Sequence, residues 1–574
     1  MSIIATVPRP HCRFVLLGVI AIAALAVLEP RHVAASTPPA PAAGDLLDET
    51  APDQTSGYIR DLIERAQRAL GVLGLYGGPP SGTVDAQLIE ALKRFQSRSG
   101  LPDTAIIDED LVGRLEASVN VEQLLERLDA ARTREAQKAR EALLSNPETR
   151  HLLDGADVDE TADPTRDASG CFDDPSPRCL LDEAVESAKA IASDGRRDWA
   201  YGEILVAQVH AGLTEDALAT VRRITDPRLI IVALRRIAEA EAAAGRAEAA
   251  LDAVNVIPDR AERLAAASAV AQLLSGLSLH DAAFAAADRL MDDQNTADLE
   301  LTRHLAEVAP VLATGGRRDR ANRLLVEIAL ETRDADNGSG RDARYRHIAN
   351  AYLAIGEPEI ALQMLDQVGN ISDRNAILIA AAAQLAATGQ QDDARALAAQ
   401  IAGERYRAVA LAGIAEQQHY RGDGDDARDT LQAAEKVLNE IDLPYARDYA
   451  ASRIALVYAA DPANGTETAR PVATAIRDPR LRAETLWRMV LLGRPELETA
   501  AEEATSSIFG KFDRAWLFND LAERQISAAD LANGAALFER ALALARDIAT
   551  PWARARILAR LSISLTELEN PRTP

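Results

Sequence analysis

The feature that most constrains the fold of this chain is a repeated unit, which is clearest in residues 226–263. Apolar side chains recur there at helical spacing in two runs, and Gly245 separates the runs. Asp226 followed by Pro227 is typical of an N-cap and a first helical turn. The unit is therefore a pair of antiparallel helices. A single pair cannot bury its apolar stripe, so the pairs must stack on copies of themselves.

Copies of this unit recur over residues 179–570, and we count about ten of them at a period near 34 residues. The opening of the unit, Asp-Arg or Asp-Pro-Arg, recurs at Asp259, Asp373, Asp478 and Asp513, and the glycine between helices recurs at Gly212, Gly245, Gly356, Gly389, Gly422 and Gly493. This pattern predicts a long α-solenoid.

The register of the repeats resembles the tetratricopeptide repeat. In one copy the family's signature positions are matched by Tyr345, Ile348, Ala349, Tyr352, Gly356, Ala361, Leu365 and Val368. The signature Trp is missing, and many large positions have become Ala. The resemblance implies that the first helices of the pairs line a concave surface, on which such proteins bind protein partners.

Composition supports an all-α chain. The sequence is 48% hydrophobic but only 4% aromatic, so its core is built mainly from Ala, Leu, Ile and Val. That composition suits closely packed helix pairs and argues against a β-sandwich. The formal net charge of -25 disfavours a nucleic-acid partner, because phosphate binding needs a basic surface.

The N-terminal segment, residues 1–35, predicts export. An apolar run over residues 14–28 follows Arg9 and Arg13, and small residues precede a plausible cleavage point after Ala35. The alternative is an uncleaved anchor in the inner membrane. Either reading places the rest of the chain in the periplasm. Residues 36–57, rich in Pro, Ala and Asp, predict a flexible linker.

Residues 58–117 lack the pattern of the repeats, and their apolar spacing predicts a small three-helix domain. Here the chain resembles the peptidoglycan-binding-like module of bacterial cell-wall hydrolases. The matching residues, in order, are Gln67, Leu70, Leu73, Gly74, Tyr76, Gly82, Asp85, Ala91, Phe95, Gln96, Gly100 and Leu101. The chain departs from the family in the third segment, where Ala105 stands in place of a glycine.

This resemblance implies non-covalent binding to cell-wall glycopeptide. On that basis Tyr76 would offer a flat face, while Arg94, Gln96 and Arg98 would hydrogen-bond to sugars or to stem-peptide carboxylates. Three readings compete with it. Gln96 would satisfy loop backbone groups, the two arginines would form a solvated face, or the module would bind another protein.

Between the module and the repeats, residues 118–146 predict a connecting helix and residues 147–178 an acidic, unstructured linker. The linker carries Cys171, and Cys179 follows at the start of the repeats. These are the only cysteines that remain after signal cleavage, and in an oxidising periplasm we expect them to form a disulfide. A catalytic cysteine is the alternative, but no neighbouring His supports it.

The sequence contains no motif that indicates catalysis. Its histidines lie far apart without zinc-peptidase spacing, and neither a G-x-S-x-G elbow nor a phosphate loop is present. We therefore expect no metal, no cofactor and no enzymatic activity. Paired carboxylates within the repeats leave open the alternative of a cell-wall-modifying enzyme, or a regulatory subunit of one.

The sequence thus predicts an all-α protein, with a peptidoglycan-binding-like domain and a solenoid of tetratricopeptide-like helix pairs. The expected function is that of a cell-envelope scaffold, which holds peptidoglycan through the module and protein partners in the solenoid groove. The candidate groove residues are Arg235, Glu239, Asn350, Gln384 and Gln417. A purely structural spacer is the remaining alternative.

Overall fold

The computed structural model describes residues 52–153, 159–292, 299–334, 340–462 and 465–571. Throughout these ranges the regular structure is helical, which confirms the predicted all-α class. None of the helices in these ranges is both long and apolar enough to span a membrane. The predicted signal or anchor segment, residues 1–35, lies outside the described residues. The chain divides into two compact units between Lys138 and Ala139.

The smaller unit contains helices α1 (Pro52–Val72), α2 (Ala86–Arg98) and the first part of α3 (Glu109–Ser145). Asp85 caps α2 by accepting a hydrogen bond from the backbone N–H of Leu88 at 2.6 Å. A compact apolar core joins the three helices; it includes Ala66, Leu70, Leu88, Leu92, Phe95, Val112 and Leu115. The third helix of the module and the predicted connecting helix are one continuous helix.

The larger unit consists of stacked helix pairs. The long helices are α6 (Asp194–His210), α8 (Pro227–Ala243), α10 (Arg260–Gly276), α12 (Leu299–Thr314), α14 (Arg341–Ala354), α16 (Ile371–Thr388), α18 (Glu404–Arg421), α20 (Pro444–Ala460), α22 (Pro479–Leu491), α24 (Lys511–Ser527) and α26 (Pro551–Glu569). Their partners are α7 (Thr214–Val221), α9 (Ala247–Val256), α11 (His280–Met291), α13 (Arg318–Asp334), α15 (Pro358–Gln363), α17 (Gln391–Gln400), α19 (Gly424–Leu438), α21 (Gly465–Thr474), α23 (Glu498–Ser506) and α25 (Leu531–Arg546). Two further helices, α4 (Ser169–Asp173) and α5 (Pro177–Lys189), precede them.

The helix pairs of the larger unit close into a ring. Each long helix packs against the long helices before and after it, from α6 to α26. The last helix, α26, then packs against α6 and takes α5 as its short partner. Within the described residues the ring therefore holds eleven pairs, and the eleventh is built from both ends of the repeat region. The sequence predicted the stacking of pairs but not this closure.

A left-handed residue ends most of the long helices and turns the chain into the short partner. Glycine usually occupies this position, as at Gly245 and Gly356, where φ is 78° and 82°. The backbone N–H of the next residue bonds the carbonyl five residues back, as from Arg246 to Glu241 at 2.9 Å. Ser278 and Ala529 occupy the same turn in two other repeats with φ of 62°. The turn is thus kept even where glycine is not.

Polar side chains near the start of several long helices tie one repeat to the next. Asp198 accepts hydrogen bonds from the backbone N–H groups of Thr225 and Asp226 at 3.1 and 2.9 Å. Asp448 of α20 does the same for the backbone N–H groups of Arg477 and Asp478, at 3.1 and 2.9 Å. These bonds satisfy N–H groups at the entrance of the following helix, which otherwise lack partners.

A second recurring bond is donated by arginines near the start of the long helices. Each guanidinium bonds the backbone carbonyl six residues earlier; the donors are Arg197, Arg263, Arg374, Arg482 and Arg554. In these repeats the arginine side chain therefore caps the C-terminal end of the preceding short helix.

The acidic linker is more ordered than predicted. Glu160 accepts hydrogen bonds from the Tyr201 hydroxyl at 2.7 Å and from Arg223 at 2.6 Å. Arg166 pairs with Glu183 at 3.2 Å. The prediction of an unstructured segment is therefore wrong for residues 159–178, because their charged side chains find partners on the ring that composition does not reveal.

Candidate binding surfaces

Tyr76 lies inside the small domain and not on its surface. Its side chain is 5% exposed, and its hydroxyl donates to Asp85 at 3.0 Å. Gln67 bonds this hydroxyl as well as the backbone N–H of Gly82. The expectation that Tyr76 offers a flat face is therefore corrected: its ring belongs to the core, and its polar tip fixes the turn between α1 and α2.

Gln96 is also buried, at 4% exposure, and it holds the loop that follows α2. Its Oε1 accepts a hydrogen bond from the backbone N–H of Ala105 at 2.9 Å. Ala105 has a φ of 53°, in the left-handed region that glycine adopts more readily. The backbone is thus left-handed at the position where the resemblance leads one to expect a glycine. Gln96 acts on the backbone, as the alternative reading expected, and is not exposed to a ligand.

Arg94 and Arg98 remain on the surface of the small domain. They lie one helical turn apart on α2, and both side chains are exposed. Arg94 also donates to the backbone carbonyl of Leu75 at 3.1 Å, which holds its guanidinium beside the turn. Of the four predicted wall contacts, these two arginines are the ones that the structure leaves accessible.

The long helices pack on one another around the ring, and we call the face that they share the inner face. A cavity of about 540 Å³ is lined only by residues of the neighbouring helices α24, α26, α6, α8 and α10, which shows that their shared face is concave. Its polar lining includes Glu203, His210, Arg236, Glu239 and Arg560. At this cavity the inner face thus carries charges of both signs.

The predicted groove residues all lie on long helices. Arg235 pairs with Glu239 at 3.3 Å and with Glu262 of the next long helix at 2.7 Å. Glu239 lies in the cavity just described, and burial raises the pKa of its carboxyl. Asn350, Gln384 and Gln417 are half-buried on α14, α16 and α18. The large aromatic side chains of Tyr352 and Trp487 on the long helices belong to the core, at 3% and 4% exposure.

Sequence reasoning missed an aromatic cluster where the ring closes. Trp199 of α6 and Trp552 of α26 have ring centroids 5.9 Å apart. The guanidinium of Arg556 lies 4.7, 4.5 and 4.8 Å from the rings of Trp199, Trp552 and Trp516. Arg556 also forms a bidentate pair with Glu203 at 2.7 and 2.9 Å. No local signal marks this cluster, because its members come from opposite ends of the repeats.

Cys171 and Cys179 form a disulfide whose Cα atoms are 5.6 Å apart. The bond joins α4 to the first turn of α5, and Phe172 and Asp173 beside it contact Arg546 near the end of α25. It therefore braces the segment against which the last repeat packs. The described ranges contain no group of three or more His, Cys, Asp or Glu side chains arranged to hold a metal ion.

Comparison with protein families supports the resemblance predicted for the small domain. Residues 60–115 match the family model of a putative peptidoglycan binding domain. No curated protein matches this chain significantly.

Two solved structures resemble the chain distantly. Ton1535 from Thermococcus onnurineus NA1 is 18% identical, covers 50% of this chain and 97% of its own length, and has a TM-score of 0.25. A circular tandem repeat protein with novel repeat topology is 16% identical, covers 88% of this chain and 96% of its own length, and has a TM-score of 0.15. These scores are too low to support an argument.

Proposed function

We propose that this chain is a non-enzymatic protein of the bacterial cell envelope, which associates with peptidoglycan through its small domain and binds a protein partner in its ring of tetratricopeptide-like helix pairs. The observation that carries the proposal is the match of residues 60–115 to the putative peptidoglycan binding domain. The polar network of Gln67, Asp85 and Gln96 supports it, because it holds the two turns of that module in place.

We assign the contact with peptidoglycan to the two exposed arginines of α2. Arg94 and Arg98 present two guanidinium groups on one helical face, and stem peptides of peptidoglycan carry carboxylates that such groups pair with. Because these contacts are exposed to solvent, they weaken as the salt concentration rises.

The ring supplies the second binding surface. Its inner face combines half-buried charges with a concave form, and such a face suits a peptide or helix held by many polar contacts and a few anchors. We expect its affinity to fall as salt rises, since the charges that line it are reached by solvent.

Sedimentation with purified sacculi tests the wall-binding half of the proposal. The full chain is expected to pellet with sacculi, and the Arg94→Ala/Arg98→Ala double variant is expected to stay largely in the supernatant. Arg114→Ala is the matched control, because Arg114 is an exposed arginine of the same domain that pairs with Asp110 at 2.9 Å. Equal pelleting of both variants contradicts the assignment, and release of soluble wall fragments contradicts the absence of activity.

Crosslinking in the native host followed by mass spectrometry tests the other half. The expected result is a periplasmic chain whose N-terminus lies near Ser36, crosslinked to a protein through residues of the long helices. An intact N-terminus on envelope-bound protein favours the anchor instead. A cytoplasmic chain, or crosslinks confined to residues 58–117, contradicts the proposal, and the second result makes the ring a spacer.

A further inference from the structure

Three arginines lie on three consecutive long helices of the ring. They are Arg453 of α20, Arg488 of α22 and Arg524 of α24. Each is associated with a carboxylate on its own or a neighbouring long helix, either Glu416 or Glu484. We call these five residues, with the neighbouring Tyr420, the arginine patch.

The arginine patch carries more positive than negative charge. Arg453 is paired with Glu416 at 2.9 Å. Arg488 and Arg524, however, share the single carboxylate of Glu484, at 4.0 and 3.5 Å. Three guanidinium groups thus face two carboxylates, in a chain whose formal net charge is -25. A local excess of positive charge on so acidic a protein attracts anionic ligands to this part of the ring.

Electrostatics within the patch agree with this excess. Burial, and after it the neighbouring Arg524 guanidinium, lower the pKa of Arg488 to about 10. An anion placed between these two side chains would relieve their mutual repulsion. Arginine is also suited to the task, since its planar guanidinium pairs with a carboxylate through two parallel hydrogen bonds.

The patch is open to a large ligand. The side chain of Arg524 is 54% exposed. Tyr420, whose charged neighbours include Arg453 and Arg488, is 67% exposed. Leu492, at the end of α22, is 53% exposed. An accessible aromatic ring and an apolar side chain next to the arginines favour a ligand that carries both carboxylates and apolar groups. A sugar chain is less well matched, because its recognition relies on several open aromatic faces, whereas Arg556 already covers the tryptophans of the ring.

We propose that the arginine patch binds an acidic segment of a partner protein, whose carboxylates bridge Arg488 and Arg524 and whose apolar side chains rest on Tyr420 and Leu492. This deepens the proposed function and rests on it, because it assigns a chemistry to the partner of the ring. The half-exposed guanidinium of Arg524 gives the segment access to the patch.

The test is a fluorescence-anisotropy titration of the full chain with a short labelled peptide in which Glu alternates with Leu and Tyr. A second peptide with Gln in place of every Glu is the ligand control. The acidic peptide is expected to bind, with a Kd that rises with salt, and the Gln peptide is expected not to bind. Arg524→Glu is expected to weaken the acidic peptide about tenfold or more, as for the loss of one charge-assisted contact.

Arg395→Glu is the matched control variant. Arg395 lies on the short helix α17, pairs with Asp426 at 3.0 Å, and its substitution changes the net charge of the chain as much as Arg524→Glu does. It is expected to leave the Kd unchanged. A thermal melt of each variant checks that it is folded. The neutral variant Arg524→Gln is expected to weaken binding of the acidic peptide less than Arg524→Glu does.

Four results overturn the inference. They are equal binding of the Gln peptide, equal weakening by Arg395→Glu, unchanged binding by Arg524→Glu, and displacement of the peptide by soluble peptidoglycan fragments. If the acidic peptide fails while crosslinking still finds a protein on the long helices, the proposed function stands without this inference. If the peptide binds as described but the native host yields no partner on the ring, the proposed function fails alone.

Discussion

Arg556 is expected to hold the ring closed, and its removal is the most direct perturbation of this fold. Its side chain is 12% exposed and that of Glu203, its partner across the junction of α26 and α6, is 21% exposed. The same guanidinium lies within contact distance of Trp199, Trp516 and Trp552. Arg556→Ala therefore removes an ion pair and several cation–π contacts at once.

The size of the effect follows from these contacts. Breaking a fully buried pair costs about 3–5 kcal/mol, and partial exposure to solvent lowers this to roughly 2–3 kcal/mol. Cation–π contacts at partly exposed sites contribute about 0.5–1 kcal/mol each, but contacts of one side chain do not add fully. We expect Arg556→Ala to reduce the free energy of unfolding by about 3 kcal/mol. Arg556→Lys, which keeps the charge but loses the fork geometry, should cost about half as much.

Tryptophan fluorescence measures this prediction directly, because three of the four tryptophans of the chain contact Arg556. In Arg556→Ala the emission is expected to shift to longer wavelength at urea concentrations below the main transition, as the junction opens first. Arg395→Ala on a short helix is the control and should change stability by less than about 0.5 kcal/mol. If Arg556→Ala matches this control in both emission and midpoint, the ring does not depend on the junction and the reasoning is refuted.

Three further predictions concern stability. Ser278→Gly and Ala529→Gly should each raise the free energy of unfolding by about 0.5–1 kcal/mol, because both positions have a φ of 62°. Gly356→Ala, whose added Cβ meets no atom within 4 Å, should lower it by about 1 kcal/mol through backbone strain alone. Thermal melts that rank these variants in another order contradict the assignment of this turn. Burial, followed by the nearby Arg346, lowers the pKa of His347 to about 4 from an ordinary 6.5. The contribution of the neutral imidazole to stability is therefore full above pH 6.5 and is lost as the pH falls toward 4. His347→Gln should flatten the acid side of a plot of urea midpoint against pH, and an unchanged slope contradicts this prediction. Reduction of the disulfide between Cys171 and Cys179 should lower the free energy of unfolding by about 2–3 kcal/mol at most. Hydrogen exchange should rise first in residues 159–178. Free thiols in unreduced periplasmic protein would show that the bond is absent in the cell.

Much of the local structure could be predicted from the sequence. The helix pairs follow from apolar spacing, and Asp226 with Pro227 marks a helix start that the structure keeps, with Asp226 accepting a hydrogen bond from the N–H of Arg228. The inter-helix glycines follow from the left-handed turn that they favour. The module could be recognised because its turn residues stand at fixed offsets in one short segment. Each of these signals acts over a few neighbouring residues, so the sequence alone determines it.

Only the tertiary structure decided which side chains are exposed. Tyr76 and Gln96 were predicted as contacts, but tertiary packing buries both, and an amphipathic side chain carries no mark in the sequence of which end meets solvent. The acidic linker was read as unstructured from its composition, yet Tyr201 and Arg223 hold it through Glu160. Partners far away in the chain determine such burial and order.

Closure of the ring depends on the same kind of information. Arg556 and Glu203, which join its ends, are separated by 353 residues, and the arginine patch assembles from helices that periodicity treats as identical copies. Repeat spacing fixes how one pair stacks on the next. Whether the chain returns to its start depends on the small rotation between successive pairs, summed around the whole ring. That sum is a property of the packed core and not of any single repeat.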